Sequence, residues 1–292
     1  RIYDQYEELF SLHKMTMFEM DLWMSLAYFI EQKVDYCIIE AGMGGRLDAT
    51  TALDYKTCLI TNVGLDHTEY LGDTFEQIAY EKSGIFKPNV PALTTEDKPE
   101  CQKVMELVAD YMKTPLCFID CQETDVLRWN GMTFHLNPPL YQAKNLSLAL
   151  ETLNVLGIWL EENEIQEVID HFQWAGRYMV LRKDPLVLLD GAHNVHGITA
   201  LTHSLKNFTG KIYFSVLKEK DAPHMIELLQ SISEDITLVE ISSARLYPLE
   251  KLGYPIITVD ELISRLLDTK EDSLLCGSLY YVGEVLEKWC NV

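Results

Sequence analysis

Residues 57–86 read TCLITNVGLDHTEYLGDTFEQIAYEKSGIF, and the order of residue types in this stretch decides the fold class. The apolar run 57–63 is short and ends in a polar loop, which is typical of a buried β-strand. The segment 74–86 then has a helical pattern, with Asp73 in position to cap its first turn and Pro88 beyond its end. A strand, a loop and a helix in this order predict a parallel sheet whose two faces are covered by helices.

The same alternation continues on both sides of this stretch. Residues 16–31 are predicted to form a helix, and 34–40 (VDYCIIE) a strand that ends in a carboxylate. A further helix is predicted over 142–160, after which the pattern breaks and a second set of strands and helices begins. We therefore predict an α/β fold with two domains, 1–173 and 174–292. The strands predicted for the second domain are 185–190, 211–217, 236–241, 256–259 and 273–276.

The composition of the 292 residues limits the classes of partner. Hydrophobic residues make up 48% and charged residues 24%, as in globular proteins with a buried core. Lys and Arg number 24 against 45 Asp and Glu, a formal net charge of −21. Such a charge argues against a surface for nucleic acid or anionic lipid, because phosphates must be met by a basic face. The expected partners are small molecules.

Cysteine usage and hydropathy indicate the compartment. Seven cysteines are scattered along the chain without a CxxC pair, which favours a reducing compartment over a disulfide framework or a zinc site. No apolar run reaches the roughly 18 residues of a membrane span, so we expect no membrane contact. We expect a cytoplasmic protein, and a monomer.

Three polar residues follow the strands and the helix of the first domain. Glu40 and His67 come at or just after the ends of two predicted strands, and Lys82 lies on the helix one loop later. Because ligands bind beyond the carboxyl ends of parallel strands, these residues are candidates for a divalent-metal site. The alternatives are a solvent-facing carboxylate, a helix cap at Asp66-His67 and a solvated ion pair at Glu81-Lys82.

Two further loops are candidates for ligand binding. The glycine-rich loop 42–48 is not a phosphate-binding loop, since no GxxxxGK[ST] occurs in the 292 residues. A tight turn explains its glycines, but not Arg46 and Asp48 beside them. In the second domain, the stretch 189–194 (LDGAHN) places Asp190 and His193 where a strand turns into a helix. That position suits a sugar or an amino acid, although a plain helix cap is the commoner role.

Taken together, the motifs resemble the folylpolyglutamate synthase/dihydrofolate synthase family, which belongs with the Mur ligases. They occur in the same order over nearly the whole chain, and the combination is far more specific than any single motif. The matching stretches are EAGMGGRLDAT (40–50), ITNVGLDH (60–67), EYLGDT (69–74), EKSGIFKP (81–88), QAKN (142–145), GR (176–177), LDGAHN (189–194), KEKD (218–221) and GSLYYVGE (277–284).

The resemblance implies an ATP-dependent amide ligase that works between two domains. A carboxylate of a reduced folate or of dihydropteroate accepts the γ-phosphoryl group of ATP, and the amine of L-glutamate then attacks the acyl phosphate. Mg²⁺ neutralises the phosphate charge. The fold implied is an incomplete P-loop-type nucleotide-binding domain with a parallel-rich sheet, followed by a smaller Rossmann-like α/β domain.

The resemblance also assigns roles to individual residues. Lys82 matches a lysine that is carbamylated in many members, which requires a neutral amine and hence a partly desolvated position. By position, Glu40 and His67 are expected to bind Mg²⁺, and the expected catalytic residues are Lys82, Asp190 and His193. ATP is expected to contact Asn145, Arg177 and Asp190, and glutamate to contact His193 and Ser278. Arg46 and Asp48 are expected to lie in a loop on the folate side.

One departure from the family pattern bears on activity. The family's opening strand and its phosphate-binding loop of the TNGKGS type have no counterpart in these residues. We therefore expect residues 1–292 alone to bind ATP weakly and to lack ligase activity. Two other interpretations stay open at this point, namely a Mur-type amino-acid ligase and a non-catalytic folate- or glutamate-binding remnant.

Overall fold

The structure is a computed structural model that describes residues 1–137 and 139–290. It divides into two compact units, Arg1–Asp120 with Leu148–Ile158, and Cys121–Ser147 with Trp159–Val292. The helices are α1 Ile2–His13, α2 Met17–Gln32, α3 Thr68–Leu71, α4 Phe75–Ser83, α5 Pro99–Met112, α6 Gln142–Val155, α7 Glu162–His171, α8 Val195–Ser204, α9 Ala222–Gln230, α10 Val259–Asp268 and α11 Leu279–Trp289. The strands are β1 Cys58–Ile60, β2 Ala92–Thr94, β3 Leu116–Phe118, β4 Val126–Trp129, β5 Met132–His135, β6 Met179–Lys183, β7 Leu186–Leu189, β8 Lys211–Phe214, β9 Ile236–Glu240, β10 Ile256–Thr258 and β11 Ser273–Cys276.

The first unit is built on a parallel sheet with the strand order β1-β2-β3. Helices α4 and α5 contribute Ile78 and Met105 to its core, where both side chains are fully buried. The predicted strand over 57–63 is therefore confirmed as β1 and the predicted helix over 74–86 as α4. The cap of α4 is Thr74, whose side chain accepts a hydrogen bond from Gln77 N, and not Asp73 as expected.

The strand predicted over 34–40 is wrong. This segment has no strand conformation, and Ile38 is 93% exposed. Apolar β-branched residues favour a strand only where a neighbouring strand supplies hydrogen bonds and a packing face. In the described ranges, β1 pairs with β2, and no strand is paired with residues 34–40.

The helix predicted over 16–31 is confirmed as α2, and its start is the predicted capping box. Glu19 N donates to the Thr16 hydroxyl over 3.3 Å, and the Glu19 carboxylate accepts from Thr16 N over 2.7 Å. The two interactions satisfy donors that the first turn of a helix otherwise leaves unpaired. Local sequence alone was enough to fix where this helix begins.

The second unit contains a six-stranded sheet with the order β10-β9-β8-β11-β7-β6. Neighbouring strands are parallel except for β6, which is antiparallel to β7. Because successive strand residues point to opposite faces, Leu188 and Leu274 pack in the core with α8 and α9. Leu189 and Leu275 pack in the core with α10 and α11 on the other face. The predicted parallel-rich α/β fold is confirmed.

This topology puts the candidate loops of the second unit at one edge of its sheet. Strands β7, β11 and β8 are neighbours and parallel, so the loops that follow them leave from the same edge. The stretches 189–194 and 277–284 begin at the ends of β7 and β11, and the stretch 218–221 lies in the loop after β8. The edge beyond the carboxyl ends of parallel strands is where α/β proteins bind ligands.

The domain boundary near residue 173 remains a prediction. Residues 121–147 and 159–173, which the sequence placed in the first domain, group with the second unit in the structure. No helix within 1–137 and 139–290 has both the length and the hydrophobicity that a bilayer crossing requires.

A buried carboxylate joins two loops of the first unit. The Glu96 side chain follows β2 and is fully buried, where it accepts hydrogen bonds from Val63 N and from Lys98 N. The Lys98 ammonium lies 3.2 Å from Glu96 Oε1 and 2.9 Å from Val63 O. Both backbone polar groups of Val63, at the start of the loop that leads to His67, are thus held by this pair.

We expect Glu96→Ala to lower the free energy of unfolding by about 2–3 kcal/mol, because buried backbone donors lose their acceptor. Glu106 lies on the exposed side of α5, so Glu106→Ala is the matched control and changes stability by less than about 0.5 kcal/mol. Urea denaturation followed by fluorescence measures both. Equal effects of the two substitutions would contradict the role of Glu96.

Candidate active site

Lys82 lies in the last turn of α4 and faces two carboxylates. Burial lowers the pKa of its ammonium group, and the nearby charges of Asp66 and Glu40 oppose that shift. Both carboxylates come from segments that follow apolar runs of the first unit. The structure therefore brings predicted residues Lys82 and Glu40 together and adds Asp66, which the sequence suggested only as part of a helix cap.

His67 has a strained backbone next to this group. Its φ is +51°, in the left-handed region that side chains other than glycine rarely adopt, and its N–H donates to Asp66 Oδ1 over 2.9 Å. Its side chain is exposed and does not cap α3. Non-glycine residues in this conformation cluster at functional sites, where the surrounding structure holds the strain.

The donor set around Lys82 is limited. Within residues 1–137 and 139–290, no three His, Cys, Asp or Glu side chains come together as a metal-binding group. Glu40 and Asp66 supply oxygen donors near Lys82, and the exposed His67 side chain does not join them as a third ligand. Mg²⁺ commonly takes one or two protein carboxylates and completes its shell with water and substrate phosphates. The two carboxylates at Lys82 fit that pattern.

The glycine-rich loop 42–48 packs against α4 and so fixes the surroundings of Lys82. A Cβ on Gly45 would lie 2.8 Å from the Lys82 carbonyl oxygen and 2.7 Å from Ile85 Cγ2. Arg46 N donates to Glu81 O over 2.8 Å, and the Arg46 guanidinium makes a bidentate ion pair with the Glu81 carboxylate. Glycine is needed here for the close approach of two backbones.

Asp48 has a structural role in the same loop. Its carboxylate caps the short 3₁₀ turn that follows it, accepting from Thr50 N over 2.9 Å, and it also accepts from Met43 N. Burial alone would raise the pKa of Asp48, but the hydrogen bonds from Thr50, Met43 and Gly42 outweigh burial and lower it. Arg46 and Asp48 thus both hold the loop in place, and their expected position on the folate side remains a prediction.

Asp190 is the centre of the candidate site in the second unit. It follows β7 and is 3% exposed, and its carboxylate accepts hydrogen bonds of 2.7 Å from Tyr178 N and from Ala192 N. Burial raises the pKa of Asp190, while these hydrogen bonds and the charges of Arg177 and His193 act in the opposite direction. The predicted residues Arg177, Asp190 and His193 are therefore brought together.

Two glycines allow the loops around Asp190 to approach each other. Gly191 N donates to Gly176 O over 2.7 Å, which joins the turn that carries Arg177 to the loop after β7. A Cβ on Gly191 would lie 2.5 Å from an Arg177 guanidinium nitrogen and 2.5 Å from Leu279 Cδ2. The side chain of Arg177 therefore lies directly against the loop that carries Asp190.

Tyr141 belongs to this cluster and was not predicted. Burial raises the pKa of its hydroxyl, and the Asp190 charge and a side-chain hydrogen bond to Asp190 raise it further. Tyr141 directly precedes α6, whose first turn carries the predicted residue Asn145. The Asn145 side chain is exposed and donates to Gln142 Oε1 over 3.0 Å. The only sequence signal for Tyr141 was its position beside the stretch 142–145.

His193 and Ser278 lie on the loops after β7 and β11. His193 Nδ1 is 2.9 Å from Gly191 O, and since a carbonyl oxygen can only accept, Nδ1 carries the proton in this contact. In the neutral ring, Nε2 then has the lone pair. Ser278 is buried and caps α11 by accepting from Tyr280 N over 3.2 Å, with Leu279 against Gly191.

Comparison with known proteins now identifies the family. Residues 5–136 match the Mur ligase middle domain. The dihydrofolate synthase/folylpolyglutamate synthase of Buchnera aphidicola subsp. Acyrthosiphon pisum is 33% identical over 93% of this chain and 71% of its own length. The chain belongs to the dihydrofolate synthase/folylpolyglutamate synthase family. The expected place in the Mur ligase superfamily is confirmed.

Solved structures of the dihydrofolate synthase/folylpolyglutamate synthase family show the same fold. Escherichia coli FolC in complex with DHPP and ADP has a TM-score of 0.81 and 28% identity, covering 95% of this chain and 72% of that one. A bifunctional folylpolyglutamate synthase/dihydrofolate synthase with Mn, AMPPNP and L-glutamate bound is similar as well. It has a TM-score of 0.82 and 26% identity, covering 94% of this chain and 71% of that one.

We expect Gly191→Ala to lower the free energy of unfolding by about 1–3 kcal/mol, because the added methyl group overlaps Arg177 and Leu279. Gly283→Ala is the matched control in the same unit. It lies within α11 with open space around it, so we expect a gain of about 0.5–1 kcal/mol from helix propensity. Chemical denaturation measures both, and a loss for Gly283→Ala or a gain for Gly191→Ala would contradict this packing.

Proposed function

We propose that the protein adds L-glutamate to a reduced folate, with ATP as the source of the activating phosphoryl group. The observation that carries the proposal is family membership together with the cluster of Arg177, Asp190 and His193 at the carboxyl edge of the second sheet. Ligands held by related proteins support the substrate classes. Escherichia coli FolC binds DHPP and ADP, and the bifunctional synthase binds Mn, AMPPNP and L-glutamate.

The proposed reaction has two steps. An oxygen of the folate carboxylate attacks the γ-phosphorus of ATP, the bond to the ADP oxygen breaks, and an acyl phosphate forms. The neutral amine of L-glutamate then attacks the acyl carbon, phosphate leaves, and the nitrogen loses a proton to give the amide. Positioning and charge stabilisation dominate such chemistry, because the protein forms no covalent bond to the substrates.

We assign residues of the second unit to binding the nucleotide, to accepting the proton that the attacking amine loses, and to binding the amino acid. Arg177 and Asn145 contact ATP, and Asp190 keeps Arg177 and Tyr141 in place through its buried charge. His193 takes the proton from the attacking amine at Nε2, since Nδ1 donates to Gly191 O. Ser278 and His193 hold the amino acid.

Residues of the first unit are assigned to the metal and the phosphates. Glu40 and Asp66 near Lys82 would hold Mg²⁺. The structure does not group His67 with them in the described residues, so its expected role as a metal ligand remains a prediction. When bound, the ion neutralises charge on the phosphate oxygens. Asp66 is an addition to the ligand pair that the sequence suggested.

We also propose that Lys82 is carbamylated in the active protein. A carbamate forms from a neutral amine and carbon dioxide, and burial lowers the pKa of Lys82, so its neutral fraction exceeds that of an exposed lysine. The carbamate adds a negative charge near Asp66 and Glu40. A bound cation would offset the repulsion among the three, so carbamylation and metal binding should favour each other.

The direct test is ligation by the protein produced from the full reading frame that contains this chain. We expect repeated turnover of ATP to ADP only when L-glutamate and either tetrahydrofolate or dihydropteroate are both present, with a folate product heavier by one glutamyl residue in mass spectrometry. Dihydropteroate is included because the relatives are named for both activities. Multiple-turnover ADP formation that proceeds equally fast without L-glutamate would contradict the proposal.

Lys82 gives a separate prediction. With ¹³C-bicarbonate and Mg²⁺, we expect a ¹³C carbamate resonance that is absent from Lys82→Met and present in Lys103→Met, a control on the exposed side of α5. The signal should weaken as pH falls, because protonation of the amine removes the reactive form. An unchanged resonance in Lys82→Met would contradict carbamylation at this residue.

A further inference from the structure

The loops that follow β8 and β9 in the second unit are tied together by backbone hydrogen bonds. Leu217 and Leu246 form an antiparallel bridge, Lys218 N donates to Arg245 O over 2.8 Å, and Tyr247 N donates to Val216 O over 2.9 Å. The backbone of Arg245 is therefore fixed at the carboxyl edge of the sheet, where the candidate glutamate residues Ser278 and His193 also lie.

The Arg245 guanidinium is held against helix α11. Its carbon lies 5.7 Å from the centre of the Tyr280 ring, and one of its nitrogens is 3.4 Å from the Tyr280 hydroxyl. Tyr280 is two residues after Ser278. Farther along α11, the Glu284 carboxylate accepts from Ser242 N over 2.9 Å, which attaches the loop after β9 to the same helix. Arg245 is thus positioned from two sides.

A carboxylate already occupies the guanidinium. Glu219, in the loop after β8, forms an ion pair with Arg245. The side chains are 51% and 35% exposed, so the pair is open to solutes. Exposed ion pairs contribute little stability, and another carboxylate can replace Glu219 at small cost. The planar guanidinium is well suited to binding a carboxylate through two parallel hydrogen bonds.

We propose that Arg245 binds one carboxylate of the incoming L-glutamate, and that Glu219 occupies this position until the amino acid displaces it. The inference rests on the proposed function. An anionic amino acid with two carboxylates that approaches a chain with a formal net charge of −21 needs a local cation. Arg245 lies at the same edge as Ser278, and its guanidinium packs over the ring of Tyr280, two residues after Ser278.

The test uses steady-state kinetics of the full-length protein. Arg245→Gln should raise KM for L-glutamate roughly 10- to 100-fold, the loss expected for a charged hydrogen bond, with kcat and the KM values for ATP and folate little changed. Glu219→Gln removes the competing carboxylate and should lower KM for L-glutamate by up to about 5-fold. If the ion pair of Arg245 and Glu219 only stabilised the loops, the two substitutions would not change the KM for L-glutamate in opposite directions.

Substrate analogues identify the carboxylate that is bound. L-Glutamine lacks the side-chain carboxylate, and L-isoglutamine has an amide in place of the α-carboxylate. If Arg245 binds the side-chain carboxylate, the Arg245→Gln variant should use L-glutamine nearly as well as L-glutamate, and L-isoglutamine should remain a poor substrate. If Arg245 binds the α-carboxylate, the variant should use L-isoglutamine nearly as well as L-glutamate, and L-glutamine should remain a poor substrate. Unchanged preference against both analogues would overturn the proposal.

Arg265→Gln is the matched control, since Arg265 is an exposed arginine on α10 of the same unit, beside Lys211 at the start of β8. It should leave all kinetic constants unchanged. An active wild type whose Arg245→Gln variant changes only the KM for folate would overturn the inference and assign Arg245 to the folate tail. If the wild-type protein shows no turnover that depends on L-glutamate, the proposed function is wrong, and this inference is wrong with it.

Discussion

The carboxylate of Asp190 is buried at the end of β7, and a buried charge is stable only where donors surround it. Tyr178 N and Ala192 N meet it, and Arg177 and Tyr141 lie beside it. To satisfy one carboxylate, the chain draws together a turn, a strand end and the start of a helix. The side chains assigned to nucleotide and amino acid are arranged around that group.

The two units use close backbone approach in the same way. Gly45 lets the loop 42–48 lie on the end of α4, where Lys82 faces Asp66 and Glu40, and Gly191 lets Arg177 lie on the loop after β7. In both places the glycine has a packing role and holds a charged side chain near carboxylates. Arg177 is a local cation of the kind that allows a chain with a large negative net charge to bind anionic substrates.

Sequence patterns were most informative where a structure depends on nearby residues. The capping box at Thr16 and the strand over 273–276 agree with the structure because their signals are local. The strand over 34–40 failed because pairing depends on a distant partner that an apolar run does not reveal. Tyr141 was missed for the same reason, since its partner Asp190 is far along the chain. Motif order indicated Lys82, Asp190 and His193, but not the carboxylate of Asp66 beside Lys82.

Transfer of oxygen from the substrate tests the account most directly, because only activation through an acyl phosphate moves a carboxylate oxygen to phosphate. Folate labelled with ¹⁸O in its reacting carboxylate is ligated to L-glutamate, and the released inorganic phosphate is examined by mass spectrometry or ³¹P NMR. The account predicts one ¹⁸O atom in each phosphate released. Phosphate that contains only unlabelled oxygen, with amide product formed, would contradict it.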